Sequence, residues 1–254
     1  MLLKNKNAVI YGAGGHVGSS VARAFALEGA RVFLTGPTPA KVEAVAEEIR
    51  AAGGTAEAAE VDALDPRAIE AHLEEVVKKA GWIDVSFNAA WIRGDLQGTP
   101  LIEMTWEDFT TPVLTGVKTH FLTATAAARH MVRRKSGVIL TLSSSAAGLS
   151  GRDRRFHKTG GFSTACVAIE GLTRSLAGEL GPHGIRVVCL RPNALPETWA
   201  EDPTEVRTYM EDGTALGRMP TLEEVGNAAV FAASDRAGAM TGAVVNLTCG
   251  SIMD

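Results

Sequence analysis

Three consecutive hydroxyls, Ser143-Ser144-Ser145, follow an apolar run, and a charged segment comes soon after: Gly151-Arg152-Asp153-Arg154-Arg155-Phe156-His157-Lys158-Thr159. A serine hydroxyl can hydrogen-bond a substrate oxygen. An imidazole titrates near neutral pH, and a desolvated lysine can be brought there, so His157 or Lys158 can act as acid or base beside Ser144. The competing reading of the segment is a solvated charged loop. His16 and His120 are further titratable candidates, His120 one helical turn beyond Gly116 and so expected on the same side of its helix. A second kind of chemistry is suggested by Tyr11-Gly12-Ala13-Gly14-Gly15-His16-Val17-Gly18, because glycines between a strand and a helix let a phosphate approach backbone N–H groups.

These residues need a frame that brings them together. Short apolar runs alternate with longer stretches of helical periodicity, the pattern of a parallel sheet covered by helices on both faces. Strands are expected near Asn7–Tyr11, Arg31–Thr35, Thr55–Glu60, Val85–Asn88, Val138–Ser143, Arg186–Arg191 and Val244–Leu247. The first two helices run from Val17 to Glu28 and from Pro39 to Ala52, each stopped by glycine; two long ones cover Thr105–His130 and Gly160–Leu180. The loops with room for function, Trp91–Pro100, Ala146–Gly160 and Pro192–Pro220, all follow strand ends.

Composition narrows the classes. With 254 residues, 46% apolar and 21% charged, one α/β domain spanning residues 1–254 is expected. A net charge of −4 leaves no basic face for nucleic acid, and Arg133-Arg134-Lys135 reads as a solvated run after a helix. No apolar run approaches the roughly 20 residues of a membrane helix, so no membrane partner is expected. Cys166, Cys189 and Cys249 form no CxxC pair and read as free thiols in a reducing compartment, which implies the cytoplasm. No metal site is expected.

The glycine turn resembles the TGxxxGxG phosphate loop of the short-chain dehydrogenase/reductase (SDR) family, with Tyr11 for the threonine and His16 for the middle glycine. Gly184-Ile185-Arg186-Val187, Arg191-Pro192-Asn193 and Thr241-Gly242 extend the likeness over the whole chain. The resemblance implies a Rossmann-type doubly wound sheet of about seven parallel strands, a nicotinamide dinucleotide and a small-molecule substrate. It places Gly12, Gly14, Gly15, His16, Val17 and Gly18 at the phosphates, Asp62 at the adenine, and Asn88 and Ala90 near the nicotinamide ribose. Ser144 matches the family's serine. The positions of its tyrosine, lysine and asparagine fall on Phe162, Cys166 and Gly116, none of which can pass a proton or carry a positive charge. Trp91, Ser145 and Trp199 would line the substrate pocket, with Tyr209 and Met210 as further apolar walls. After the second strand comes Thr35-Gly36-Pro37-Thr38, with no carboxylate for a ribose 2′-hydroxyl, which leans to NADP over NAD, with His16, Thr38 and Lys41 as phosphate partners. A homodimer or homotetramer follows from the same resemblance.

Three functional readings stand beside one another. The first is an NAD(P)-dependent carbonyl reductase with a non-standard proton donor. The second is a lyase, isomerase or dehalogenase-like acid–base enzyme on the same scaffold. The third is a non-catalytic nucleotide-binding partner.

Overall fold

Runs of β-branched and small apolar residues make up the interior strands, and the computed structural model joins seven of them into one parallel sheet. It describes residues 1–254 except Trp91, Ser150 and Asp202 and the side chains of Arg152 and Phe156. The strands are β1 (Asn7–Tyr11), β2 (Arg31–Gly36), β3 (Thr55–Glu60), β4 (Val85–Asn88), β5 (Gly137–Leu142), β6 (Ile185–Pro192) and β7 (Val244–Leu247), and their order across the sheet is β3-β2-β1-β4-β5-β6-β7. The order reverses between β1 and β4, where Tyr11 pairs with Asn88, and such a switch point opens a crevice beyond the strand C-termini.

The crossovers are helical: α1 (His16–Leu27), α2 (Pro39–Ala51), α3 (Pro66–Ala80), α4 (Trp106–Arg134), the short α5 (Gly151–Phe156), α6 (Gly160–Leu180), α7 (Thr204–Asp212) and α8 (Leu222–Ala233). Local chemistry fixes their ends. Asp65 accepts from Arg67 N ahead of Pro66, Thr105 caps α4 through Asp108 N at 3.1 Å, and Thr221 with Glu224 forms a reciprocal capping box on α8. Gly29 at φ +86° and Gly53 at φ +85° stop α1 and α2 as expected.

Two cores sandwich the sheet. One face packs Ile10, Leu34 and Phe87 against Phe25, Ile49 and Val225 of α1, α2 and α8; the other packs Val9, Phe33 and Ile139 against Leu73, Met131 and Leu176 of α3, α4 and α6. The rims differ: β3 carries Glu57, held by Arg31 and Lys79, and Glu60, whereas β7 is Val-Val-Asn-Leu and half-buried.

Two expectations are corrected. Arg133 and Arg134 form the last turn of α4, where their charge suits the helix dipole, and Lys135 at φ +53° closes it. The segment from Gly151 to Phe156 is helical, not a loop, with Asp153 in its first turn and Arg154 and Arg155 in its last.

Candidate functional site

The switch-point crevice holds a cavity of about 440 Å³ walled by the glycine turn, the residues after β2 and β3, and α4. The turn is built so that a ligand can come close. Gly12 sits at φ +72°, and a side chain on it would lie 2.5 Å from the Ala89 carbonyl oxygen; one on Gly18 would run into the Gly12 carbonyl. Both glycines are therefore obligatory for the packing of β1 on α1 and β4. Gly15 precedes α1 without a side-chain cap, so the first N–H groups of that helix are left for an anion.

Of the expected contacts, Gly12, Gly14, Gly15, Thr38, Lys41, Asp62 and Ala90 line the cavity, joined by Arg93. His16 is exposed, and neither it nor Val17 reaches the wall; Gly18 lies beneath the turn. Asn88 acts indirectly: its Oδ1 accepts from Ala90 N at 2.8 Å and its Nδ2 donates to Thr123 Oγ1 at 2.9 Å, which fixes the end of β4. The Asp62 carboxylate accepts from Leu64 N at 2.9 Å and holds the loop after β3 on the cavity. Gly36, Pro37 and Thr38 bring no negative charge, while Arg93 is paired with Asp95 at 2.9 Å. Glycines, an uncapped helix N-terminus and Lys41 fit the adenosine and phosphate half of a dinucleotide.

The positions that the family resemblance gives to the tyrosine and lysine lie on α6. Phe162 packs half-buried on Ile92, Ala165, Ile169 and Cys189. Cys166, one turn on, has no exposed surface, and burial pushes its thiol up to about 12, with Cys189 and Glu170 adding to the shift and the Ser144 backbone N–H opposing it. At neutral pH this sulfur is protonated and carries no charge to attract a ribose hydroxyl. Cys166 does not supply the ammonium that the family resemblance would place there.

The three serines have separate partners. Ser143 Oγ donates to Glu170 Oε1 at 2.9 Å, and Glu170 in turn lies 3.6 Å from Arg191, which also grips Asp254 at 2.5 Å. Ser144 Oγ accepts from Ala146 N at 3.3 Å and shapes the turn. Ser145 Oγ donates to Asn193 Oδ1 at 2.8 Å, and Asn193 Nδ2 donates to Ser251 Oγ at 3.2 Å.

Gly116 is a contact residue between α4 and α6: a Cβ there would sit 3.3 Å from Ile92 and 3.5 Å from Ala165. His120 is buried, its Nδ1 2.8 Å from the Gly116 carbonyl oxygen, and its Nε2 accepts from Leu142 N at 3.3 Å. Both nitrogens are satisfied by the neutral ring, burial takes its pKa down to about 4, and the residue joins α4 to β5 instead of facing the crevice.

His157 follows α5 with its ring 5.9 Å from that of Tyr209, edge to face, and Tyr209 Oη donates to Asp153 Oδ1 at 3.3 Å. The sequence reading named Tyr209 only as an apolar wall and did not single out Asp153. Their meeting had no local signal, since 56 positions separate them. Trp199 is half-buried; the expected pocket residue Trp91 lies outside the described residues.

A family model described as "Enoyl-(Acyl carrier protein) reductase" matches residues 12–251. The chain belongs to the short-chain dehydrogenase/reductase family. Among its SDR relatives, the short-chain reductase protein NovJ of Streptomyces niveus is 32% identical over 252 residues, covering 96% of this chain and 92% of that one. The 3-oxoacyl-[acyl-carrier-protein] reductase FabG of Aquifex aeolicus is 29% identical, covering 98% of each. A crystal structure of a short-chain type dehydrogenase/reductase from Mycobacterium marinum superposes with a TM-score of 0.87 at 30% identity, covering 99% of this chain and 97% of that one. The SDR membership makes this an oxidoreductase fold of the NAD(P)-binding kind. Among the described residues no helix is long and apolar enough to cross a membrane, and no group of three or more His, Cys, Asp or Glu is placed to hold a metal.

Proposed function

We propose that this chain is an NADP(H)-dependent SDR oxidoreductase that reduces the carbonyl of a small molecule, with the adenosine half of the cofactor in the cavity at the switch point. A bound nicotinamide would supply the hydride. The observation that carries the reading is the wall of that cavity: Gly12, Gly14 and Gly15 for the pyrophosphate, and Lys41 with Thr38 where a carboxylate would otherwise select NAD. The relatives named as reductases, including FabG and NovJ, support the direction of the reaction. Phe162 and Cys166 leave the proton to be delivered from elsewhere.

Titration of NADPH and NADH with tryptophan fluorescence as the readout tests this. NADPH should bind at least about tenfold tighter, and Lys41→Glu should weaken NADPH by about tenfold or more while leaving NADH within about threefold. Equal affinities for the two, unchanged by the substitution, overturn the NADP assignment; no binding of either at millimolar concentration overturns the reading.

A second reading, a nucleotide binder without redox turnover, is favoured by the uncharged Cys166. NADPH binding with no oxidation of it by any ketone offered would decide for that one. For the assembly we propose a dimer through α4 and α6, whose side chains Trp106, Leu114, Phe121 and Val167 are exposed and apolar. A cytoplasmic setting accords with the free thiols.

A further inference from the structure

Ser144 stands between two serines that are buried and engaged, whereas it is itself half-buried and, among the described residues, its hydroxyl donates to no acceptor. The turn lies beside α6. The Ser144 N–H reaches the Cys166 thiol, and the Phe162 ring, one turn earlier on that helix, is 3.9 Å from where a Cβ on Gly94 would lie, next in the chain to Arg93 of the cavity wall.

The two flanking serines are held from far along the chain. Ser145 Oγ donates to Asn193 Oδ1 at 2.8 Å, and Asn193 Nδ2 donates to Ser251 Oγ at 3.2 Å. Ser143 Oγ donates to Glu170 Oε1 at 2.9 Å, the same oxygen lies 3.6 Å from Arg191 Nη1, and Arg191 Nη2 donates to both carboxylate oxygens of Asp254 at 2.5 Å. Both lines therefore end in the segment after β7, residues 248–254. That segment is shaped by its own bonds, Ser251 N to the Thr248 carbonyl at 3.1 Å and Asn246 Nδ2 to the Ile252 carbonyl at 2.6 Å. Ile252 meets the far end of the serine turn, its Cδ1 3.0 Å from where a Cβ on Gly148 would lie.

The charges along the second line are unevenly placed. Arg191 and Glu170 are buried, whereas the Asp254 side chain is 56% exposed. Arg191 Nε has no partner among the described residues, so two carboxylates decide where the guanidinium sits. Asp254 takes it in the closer pair and keeps Glu170 just beyond hydrogen-bond distance, which leaves Glu170 Oε1 to the Ser143 hydroxyl. Without Asp254, Glu170 is the one counter-charge of a buried cation, and attraction in those surroundings draws the guanidinium onto the oxygen that Ser143 uses.

We propose that Asp254 and Arg191 are positioning residues for Ser144, the segment after β7 acting as a strap that holds the serines on either side and so aims the free hydroxyl between them at the substrate oxygen. The proposal rests on the reductase reading above, with Ser144 as the donor to the substrate carbonyl.

Two measurements test it. In the first, oxidation of NADPH at 340 nm is followed with ethyl acetoacetate. Asp254→Ala should lower kcat/KM about tenfold, a loss within what a small misplacement of a site group costs, with NADPH affinity within about twofold and the urea midpoint unchanged. Asp254→Glu should recover kcat/KM to within about threefold of wild type. Ser143→Ala should lower it about tenfold as well, and the double variant should fall no more than about threefold below either single one, because both break the same line. In the second, hydrogen–deuterium exchange of the peptide spanning residues 143–149 should quicken about fivefold or more in Asp254→Ala, while the peptide spanning β1 keeps its rate.

Retention of kcat/KM within about threefold in Asp254→Ala overturns the proposal, as do losses that multiply to about 100-fold in the double variant. A lowered urea midpoint with exchange quickened throughout the chain also overturns it, since the ion pair would then be a general staple. Wild-type protein that binds NADPH but reduces no ketone counts against the reductase reading; the exchange measurement then decides alone, quickening confined to residues 143–149 upholding the strap and an unchanged rate there removing it.

Discussion

A thiol with its pKa near 12 remains protonated throughout the working range of an ordinary protein, and Cys166 has neither the charge nor the exposure to react. Cys189 is likewise buried and shifted upward, whereas Cys249 is half-buried. Ellman's reagent at pH 8 should therefore titrate one thiol in the native protein, Cys249, and all three after unfolding in guanidinium; three fast thiols in the native state would mean that α6 does not pack as described. His120 gives a second expectation at this scale. The folded chain keeps its ring neutral down to about pH 4, while the unfolded chain protonates it below the ordinary 6.5. Across that window the unfolded state holds more protons, so the contribution is complete above pH 6.5 and is lost as the pH falls towards 4. It amounts to on the order of 3 kcal/mol. Urea midpoints measured from pH 7 to 4 should fall accordingly, and His120→Gln should flatten the decline. A midpoint unchanged between pH 7 and 4.5 would contradict it.

The contact between α4 and α6 explains two residues whose meaning a linear reading missed. Gly161 touches the Phe109 carbonyl so closely that any side chain would collide with it, and Pro112 packs against the same spot, having given up one donor of the α4 ladder. Gly116 lies further along the same seam, against Ile92 and Ala165. Its absent side chain is readable as an emptied relay position, and the same absence lets α4 lie close to Ile92 and Ala165. Gly116→Asn should thus not restore proton transfer; it should lower the melting temperature by several degrees, since overpacking costs about 1–3 kcal/mol. A gain of turnover without loss of stability would reverse that assignment. The strands and four of the eight helices, α1, α2, α4 and α6, were legible because apolar periodicity and glycine stops are local signals. Strands β1, β3, β4 and β7 have the expected bounds. What was not legible were pairings across long separations: Tyr209 with Asp153, Ser145 with Asn193, and Ser143 with Glu170 and Arg191. Each depends on which loops the sheet order places side by side. The α5 helix was hidden by its charges, which resemble those of a solvated loop until the first-turn acid and last-turn bases are weighed against the helix dipole.

For the whole molecule, the exposed stripe of Trp106, Leu114 and Phe121 on α4 and Val167 on α6 sets the expected assembly. Leu114→Arg together with Phe121→Arg should convert a dimer to monomer by sedimentation velocity at micromolar protein, with the far-ultraviolet dichroism unchanged. A wild-type monomer at high concentration would refute the proposed face. The two outer strands raise a separate matter. Carboxylates along β3, one of them engaged by Arg31 and Lys79, make that border a poor template for a further backbone, while Val-Val-Asn-Leu at β7 has no such guard. Growth by strand addition is then open on a single flank. Two copies joined there would each present a closed outer border, so such joining terminates at a pair instead of lengthening into a fibre.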